Sequence, residues 1–186
     1  MKVYLCRHGQ TDMNAQRKFY GRLDVSLNDL GREQARQIGK QMANDSLTIR
    51  KVVTSGLRRT KETAEEILDS YGQLCLHMES YNALNEIDFG TWEGLSADDI
   101  ERRDYNHWWA YIEAPLNTQF PEGEEHKTFR LRVEECLSKI EFVEGTLLVG
   151  HLGVLRIFMQ YYNLSDENYF SIDIPQGEYI CVELFK

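Results

Sequence analysis

Three short apolar runs constrain the fold more than any other feature of this chain. Lys2–Cys6 carries Val3, Tyr4, Leu5 and Cys6 in succession, Lys51–Thr54 carries Val52 and Val53, and Thr146–Val149 carries Leu147, Leu148 and Val149. None alternates apolar with polar residues. Successive strand side chains point to opposite sides, so such a run is stable only when covered on both faces, as in parallel sheets flanked by helices. The intervening sequence supplies the helices. Leu30, Ala35, Ile38 and Met42 fall on one helical face, with Asn28 placed as a cap. Leu57, Thr60, Ala64, Ile67 and Leu68 follow the second run at helical spacing. Phe129, Val133, Leu137 and Ile140 mark a helix before Thr146, and Val154, Leu155, Phe158 and Tyr162 one directly after Val149. Leu74-Cys75-Leu76 reads as a further strand and Tyr179–Phe185 as a last one.

This alternation predicts an α/β fold, a three-layer sandwich around a mostly parallel central sheet with an antiparallel edge given by the C-terminal strand. The aromatic-rich stretch 92–126 breaks the rhythm. It is too short for a core of its own, so the expectation is a single domain over 1–186 with 92–126 as a small inserted helical cap.

Charge narrows the partners. The 186 residues carry 21 Lys and Arg against 30 Asp and Glu, a formal net charge of −9. Nucleic acids and anionic membranes demand a broad basic face, so neither is expected as a partner. A small anionic substrate stays open, because a few residues reverse the potential locally. No run approaches the ~20 apolar residues of a membrane span, and the N-terminus lacks the apolar length of a signal peptide. Cys6, Cys75, Cys136 and Cys181 form no CxxC pair and read as buried free thiols, implying a cytoplasmic location. A monomer or a homodimer is expected.

Ligands of such sheets bind beyond the carboxyl ends of the strands. Four chemically loaded segments fall there: Arg7-His8-Gly9-Gln10-Thr11, Ser55-Gly56-Leu57-Arg58-Arg59, Asn85-Glu86-Ile87 and Gly150-His151-Leu152-Gly153. A neutral His is a nucleophile at neutral pH once its tautomer is fixed. Arg7 and Arg59 present planar forks to phosphoryl oxygens, and a protonated His151 adds a third cation. Glu86 is the natural donor of a proton to a leaving oxygen, and later the base for water. Gly9 would let the backbone come close to a ligand.

With these residues assembled, the chain resembles the histidine phosphatase superfamily, also called phosphoglycerate-mutase-like. Arg7-His8-Gly9-Gln10-Thr11 with Asn14 resembles its nucleophile motif, with Gln10 where Glu is commoner. Gly21, Asp24, Leu27, Gly31 and Gln34-Ala35 resemble the following stretch, Ser55-x-Leu57-x-Arg59-x-x-x-Thr63-Ala64 the second motif, Leu84 to Gly94 the acid-bearing motif, and Gly150-His151-x-Gly153-Val154 the second histidine motif. Pro121-Glu122-Gly123-Glu124 and Ile174-Pro175-Gln176-Gly177 resemble the alpha-ribazole phosphatase and broad-specificity phosphatase branch. The resemblance implies a phosphohistidine on His8, no metal and no cofactor. It further implies a phosphoryl group held by Arg7, Arg59 and His151 with Asn14 nearby, Glu86 as the acid, and Gln10, Thr11, Gly21 and Leu152 around the substrate. Gly150 stands where Ser is common, removing a hydroxyl before His151, and Leu152 stands where Gly is common, narrowing the pocket wall. The aromatic cluster Tyr105, Trp108, Trp109 and Tyr111 belongs to the cap, and Tyr105, Trp108 and Trp109 are the specificity candidates there. His77, His107 and His126 have no metal-ligand spacing and read as structural. No GxGxxG or GxxxxGK[ST] occurs, so a nucleotide cofactor has no support.

The expected activity is metal-independent hydrolysis of a small phosphorylated metabolite, with alpha-ribazole phosphate as one substrate the branch implies. The alternatives are a cofactor-dependent phosphoglycerate mutase and an inactive phospholigand-binding protein. Mutases of the family commonly close the site with a C-terminal tail, and the sequence stops at Lys186 directly after an apolar strand, which favours the phosphatase.

Overall fold

The computed structural model describes residues 1–73 and 76–185. Its five-stranded sheet has the order β3-β2-β4-β1-β5. Strands β1 (Lys2–Arg7), β2 (Lys51–Ser55), β3 (Met78–Tyr81) and β4 (Thr146–Gly150) are parallel, and β5 (Tyr179–Glu183) is the antiparallel edge beside β1. The α/β sandwich with a mostly parallel sheet is therefore as expected. The apolar runs lie where burial is greatest, and β4 is buried at every position.

Period two sends successive residues to two cores. Leu5, Val53 and Leu148 join one, while Tyr4, Cys6, Val52, Leu147 and Val149 join the other. The second core is closed by α2 (Asp29–Asn44) and α3 (Arg58–Tyr71), through Ala35, Ile38, Met42, Ala64 and Ile67. Asn28 caps α2 by accepting from the Gly31 N–H at 2.9 Å. The first core is closed by α6 (His126–Lys139) and α7 (Leu152–Tyr161). Within 92–126 lie α4 (Ala97–Arg103) and α5 (Tyr105–Glu113), and their surroundings feed Trp92, Ile100 and Phe120 into that same core. The short α1 (Asp12–Ala15) follows β1, capped by Thr11.

Four details differ from the sequence reading. The third strand begins at Met78, after the Leu74–Leu76 run; Leu74 and Cys75 lie outside the described residues. It is an edge strand with no buried position, so a rule that looks for continuous apolar runs passes over it. Leu30 is exposed, because the buried face of α2 runs through Gly31, Ala35, Ile38 and Met42 instead. Cys181 is exposed on the open edge strand, unlike the buried Cys6 and Cys136. Gly9 serves helix packing: a Cβ there would overlap the Gly31 carbonyl, and one on Gly31 would overlap that of Gln10. No helix is long and apolar enough to cross a membrane among the described residues.

Candidate active site

Strand ends set the positions of the principal groups. Arg7, the last residue of β1, pairs in register with Gly150, the last of β4. One step on, the His8 N–H donates to the Gly150 carbonyl at 2.9 Å, which extends the ladder and sets the two histidines side by side. Their ring centroids are 5.2 Å apart. Arg59 enters from the first turn of α3 and is fully buried, and Glu86 arrives from the loop after β3. These groups with Asn14 line one cavity of about 290 Å³ at the carboxyl ends of the strands.

The His8 imidazole is oriented by its neighbour. Its Nδ1 lies 2.8 Å from the Gly9 carbonyl oxygen, which can only accept, so Nδ1 carries the proton and Nε2 is left with its lone pair. Burial, the Arg59 guanidinium and Arg7 push its pKa well below the usual imidazole range, against a weaker lift from Gly9. His151 is likewise held low, by burial first and then by Arg59 and His8. Its Nε2 lies 2.8 Å from Ser55 Oγ, while its buried Nδ1 has no partner among the described residues. Thus Ser55, from the end of β2, stands at hydroxyl distance from His151 where Gly150 contributes no side chain. Ser55 Oγ continues to Thr60 Oγ1 at 2.8 Å.

Asn14 is oriented by a ring of donors. Its Oδ1 accepts from the Thr11 N–H at 3.1 Å, Tyr20 Oη at 2.7 Å and Gln176 Nε2 at 2.9 Å. That leaves its amide N–H bonds for the cavity. Arg59 donates to the carbonyls of Leu23 at 2.9 Å and Gly21 at 2.8 Å, and lies 4.7 Å over the Tyr20 ring. Its buried Nε and that of Arg7 have no partner among the described residues. The 21–23 loop is fixed from the far side by Glu93, whose carboxylate accepts the N–H groups of Gly21, Arg22 and Leu23. Glu86 accepts from the Gly153 N–H at 3.0 Å, in the first turn of α7. A Cβ on Gly153 would overlap that carboxylate.

The residues singled out in the sequence sort by position. Arg7, His8, Asn14, Arg59, Glu86, His151 and Leu152 line the cavity. Gln10, Thr11 and Gly21 stand behind it. The Gln10 N–H donates to Gln34 at 2.9 Å and its side-chain oxygen accepts from Asn28 at 3.1 Å, tying the loop to the start of α2. Among the cap aromatics, Trp108 packs on Phe19 and Trp92, Tyr105 and Trp109 face outward, and Tyr111 lines the cavity.

Four residues with parts in the site were given no functional role from the sequence, and a fifth, Gln176, entered only through the branch motif. Tyr20 and Gln176 orient Asn14. Arg132, on α6, donates to the carbonyls of Asn85 at 2.8 Å and Glu86 at 3.0 Å while paired with Glu124 at 2.6 Å. His126 and Tyr169 join the lining, with ring centroids 4.6 Å apart. Burial depresses His126 to about 4, and its Nε2 is buried without a partner among the described residues. No three His, Cys, Asp or Glu side chains form a group able to hold a metal ion among the described residues.

The profile of the histidine phosphatase superfamily (branch 1) matches residues 3–186. The chain belongs to that superfamily. It is 32% identical over 193 residues to a 2,3-bisphosphoglycerate-dependent phosphoglycerate mutase of Parvibaculum lavamentivorans, covering 98% of this chain and 90% of that one. It is 29% identical over 160 residues to a 6-phosphofructo-2-kinase/fructose-2,6-bisphosphatase of Gallus gallus, covering 86% of this chain but 32% of the relative. The chain thus spans about a third of the length of such bifunctional relatives. Among solved structures it is similar to the alpha-ribazole phosphatase of Shigella flexneri, with a TM-score of 0.88, 26% identity and coverage of 98% and 90%. It is also similar to YhfR of Bacillus stearothermophilus, with a TM-score of 0.83 and 27% identity over 98% of this chain and 90% of that one. Histidine phosphatase superfamily membership and the branch likeness are as the motifs implied.

Proposed function

We propose that this histidine phosphatase superfamily member is a phosphomonoesterase acting on a small phosphorylated metabolite through a phosphohistidine on His8. The observation that carries the reading is the Nδ1 contact of His8 with the Gly9 carbonyl, which leaves Nε2 as an unprotonated nucleophile between two arginines and a second histidine. Nε2 attacks phosphorus, the bond from phosphorus to the leaving oxygen breaks, and Glu86 gives that oxygen its proton. Water then attacks the phosphohistidine, Glu86 takes its proton, and the P–N bond electrons return to Nε2. Arg7 and Arg59, with the amide of Asn14, answer the charge on the equatorial oxygens without needing a metal.

His151 contributes once it is charged. Burial first, and then Arg59, hold it neutral; a phosphoryl dianion beside the ring favours its charged form against both, so His151 takes up a proton on binding. In that form Nε2–H donates to Ser55 Oγ and Nδ1–H is free for a phosphoryl oxygen.

The likeness to the Parvibaculum lavamentivorans mutase favours a second reading, in which a bound phosphoglycerate takes the phosphoryl group back. A phosphate-release screen over phosphoglycerates, sugar phosphates and alpha-ribazole phosphate, with mutase turnover followed in parallel, separates the two. The expected result is release of inorganic phosphate, insensitive to EDTA, faster than any interconversion of phosphoglycerates. Interconversion without release would establish the mutase. With Glu86→Gln, alkyl phosphates should lose at least about ten-fold more rate than 4-nitrophenyl phosphate, whose leaving group needs no proton; equal losses would remove Glu86 as the acid.

A further inference from the structure

Glu93 is built into the loops behind the cavity without lining it. Its carboxylate accepts four backbone N–H groups: Gly21 at 2.8 Å, Arg22 at 2.9 Å, Leu23 at 3.0 Å and Phe89 at 3.1 Å. Hydrogen bonds to an ionised acceptor are roughly twice as strong as neutral ones. Among the described residues Glu93 forms no ion pair, so its charge is given to these peptides alone.

The carbonyls of the same loop hold Arg59. Nη2 donates to Gly21 at 2.8 Å and Nη1 to Leu23 at 2.9 Å. The Gly21 carbonyl and the Arg22 N–H belong to one peptide unit. That unit gives its N–H to Glu93 and its oxygen to Arg59, and each bond polarises the other. Arg59 is fully buried, yet it forms no direct ion pair among the described residues. A carboxylate thus answers its charge through a peptide, and the guanidinium keeps N–H groups uncommitted for a phosphoryl oxygen. The second loop meets the first here. A Cβ on Gly21 would overlap the carbonyl of Ile87, the residue after Glu86, and Phe89 supplies the fourth donor.

We propose that Glu93 is a positioning residue: it fixes the Gly21 and Leu23 carbonyls and through them aims the Arg59 guanidinium at the phosphoryl group. The inference rests on the phosphatase reading above and adds to it a residue outside the cavity lining.

His8 reports on the position of Arg59. The groups facing it are Arg7, Arg59, His151 and Tyr20, with Glu86 in the same cavity lining. After burial, the charge of Arg59 does most to hold His8 neutral. Losing the negative charge of Glu93 would by itself make His8 harder to protonate, whereas displacing Arg59 would make it easier. The two effects have opposite signs, so the direction of change identifies the route.

Ring ¹⁵N NMR titration of His8 and ³¹P NMR titration with inorganic phosphate test the proposal in Glu93→Ala and in Glu93→Gln, which keeps one accepting oxygen and decides the matter if Glu93→Ala does not fold. Phosphate binding should weaken by about ten-fold or more in the first and about three-fold or more in the second. His8 should protonate at a higher pH than in the wild type. In an Arg59→Met background the same Glu93 substitutions should no longer raise that pH, because their route is gone. Unchanged phosphate affinity, no upward movement of His8 in the folded variants, or the same upward movement without Arg59 overturns the proposal and leaves Glu93 as a loop fastener. A wild-type protein that hydrolyses no phosphomonoester overturns the phosphatase reading instead, while the His8 titration still decides whether Glu93 positions Arg59.

Discussion

Among the described residues the His151 ring has one hydrogen-bond partner, Ser55. The hydroxyl stands 2.8 Å from Nε2 and is itself joined to Thr60. A charged imidazole needs an acceptor there, and a charge-assisted bond is worth ~1.5–3 kcal/mol. Ser55→Ala should therefore weaken inorganic phosphate binding at neutral pH by about ten-fold or more. It should also lower the pH at which His151 protonates in the phosphate complex, read by NMR titration of that ring. An unchanged His151 titration would remove Ser55 from this role. The residue scale also shows what a sequence can reveal. His8 and His151 were legible because each stands just past an apolar strand run, and Arg59 because it opens the helix that follows the second run. Arg132, and the part Gln176 plays beyond its motif, were not, since their site contacts cross long sequence separations: Gln176 reaches Asn14 162 positions away and Arg132 reaches Glu86 46 away, while Tyr20 lies only 6 positions from Asn14 but belongs to no apolar pattern. His126 was set aside for lacking ligand spacing, and only the fold brings it to the cavity. No local pattern of apolar spacing encodes such contacts.

At the scale of elements, the site is a junction of strand ends braced by helices. Strands β1 and β4 end in the same row, which sets His8 against His151. Helix α6 holds the acid: Arg132 ties its own helix to the carbonyls of Ala83, Asn85 and Glu86, with Glu124 completing the pair. The first turn of α7 meets the Glu86 carboxylate through the Gly153 N–H. Arg132→Leu leaves the Glu124 carboxylate, 11% exposed, without its closest cation. Breaking a mostly buried pair costs on the order of 3 kcal/mol, to be read from urea unfolding. The same variant should lower kcat for alkyl phosphates more than for 4-nitrophenyl phosphate, because Glu86 loses its position. Uniform loss across leaving groups would show that Arg132 supports only the fold. The core strands were legible for the same physical reason that they are stable, continuous apolar burial on both faces. The edge strand β3 has no buried position and so left no such trace.

For the molecule as a whole, the charge of −9 and the cationic cavity coexist because the surplus acids lie elsewhere: among the described residues Glu86 is the one carboxylate lining the cavity that Arg7 and Arg59 also line. His8, His126 and His151 are held neutral in the folded protein, by burial above all. The unfolded chain protonates them near pH 6.5, so their contribution to stability is full above that value and is lost as the pH falls. For His126 the window runs from about 6.5 down to about 4. The urea midpoint should drop steeply through this range. His126→Phe should take about one proton out of the slope of stability against pH; an unchanged slope would contradict a neutral buried His126.

The proposed chemistry turns on a covalent phosphohistidine on His8. Mixing the protein with a ³²P-labelled phosphomonoester, quenching in alkali within milliseconds and mapping the labelled peptide tests it most directly. Label is expected on the peptide containing His8, stable in alkali and lost in acid, and none in His8→Ala. A phosphate burst with no label on His8, or label on a serine or an acidic side chain, would contradict it.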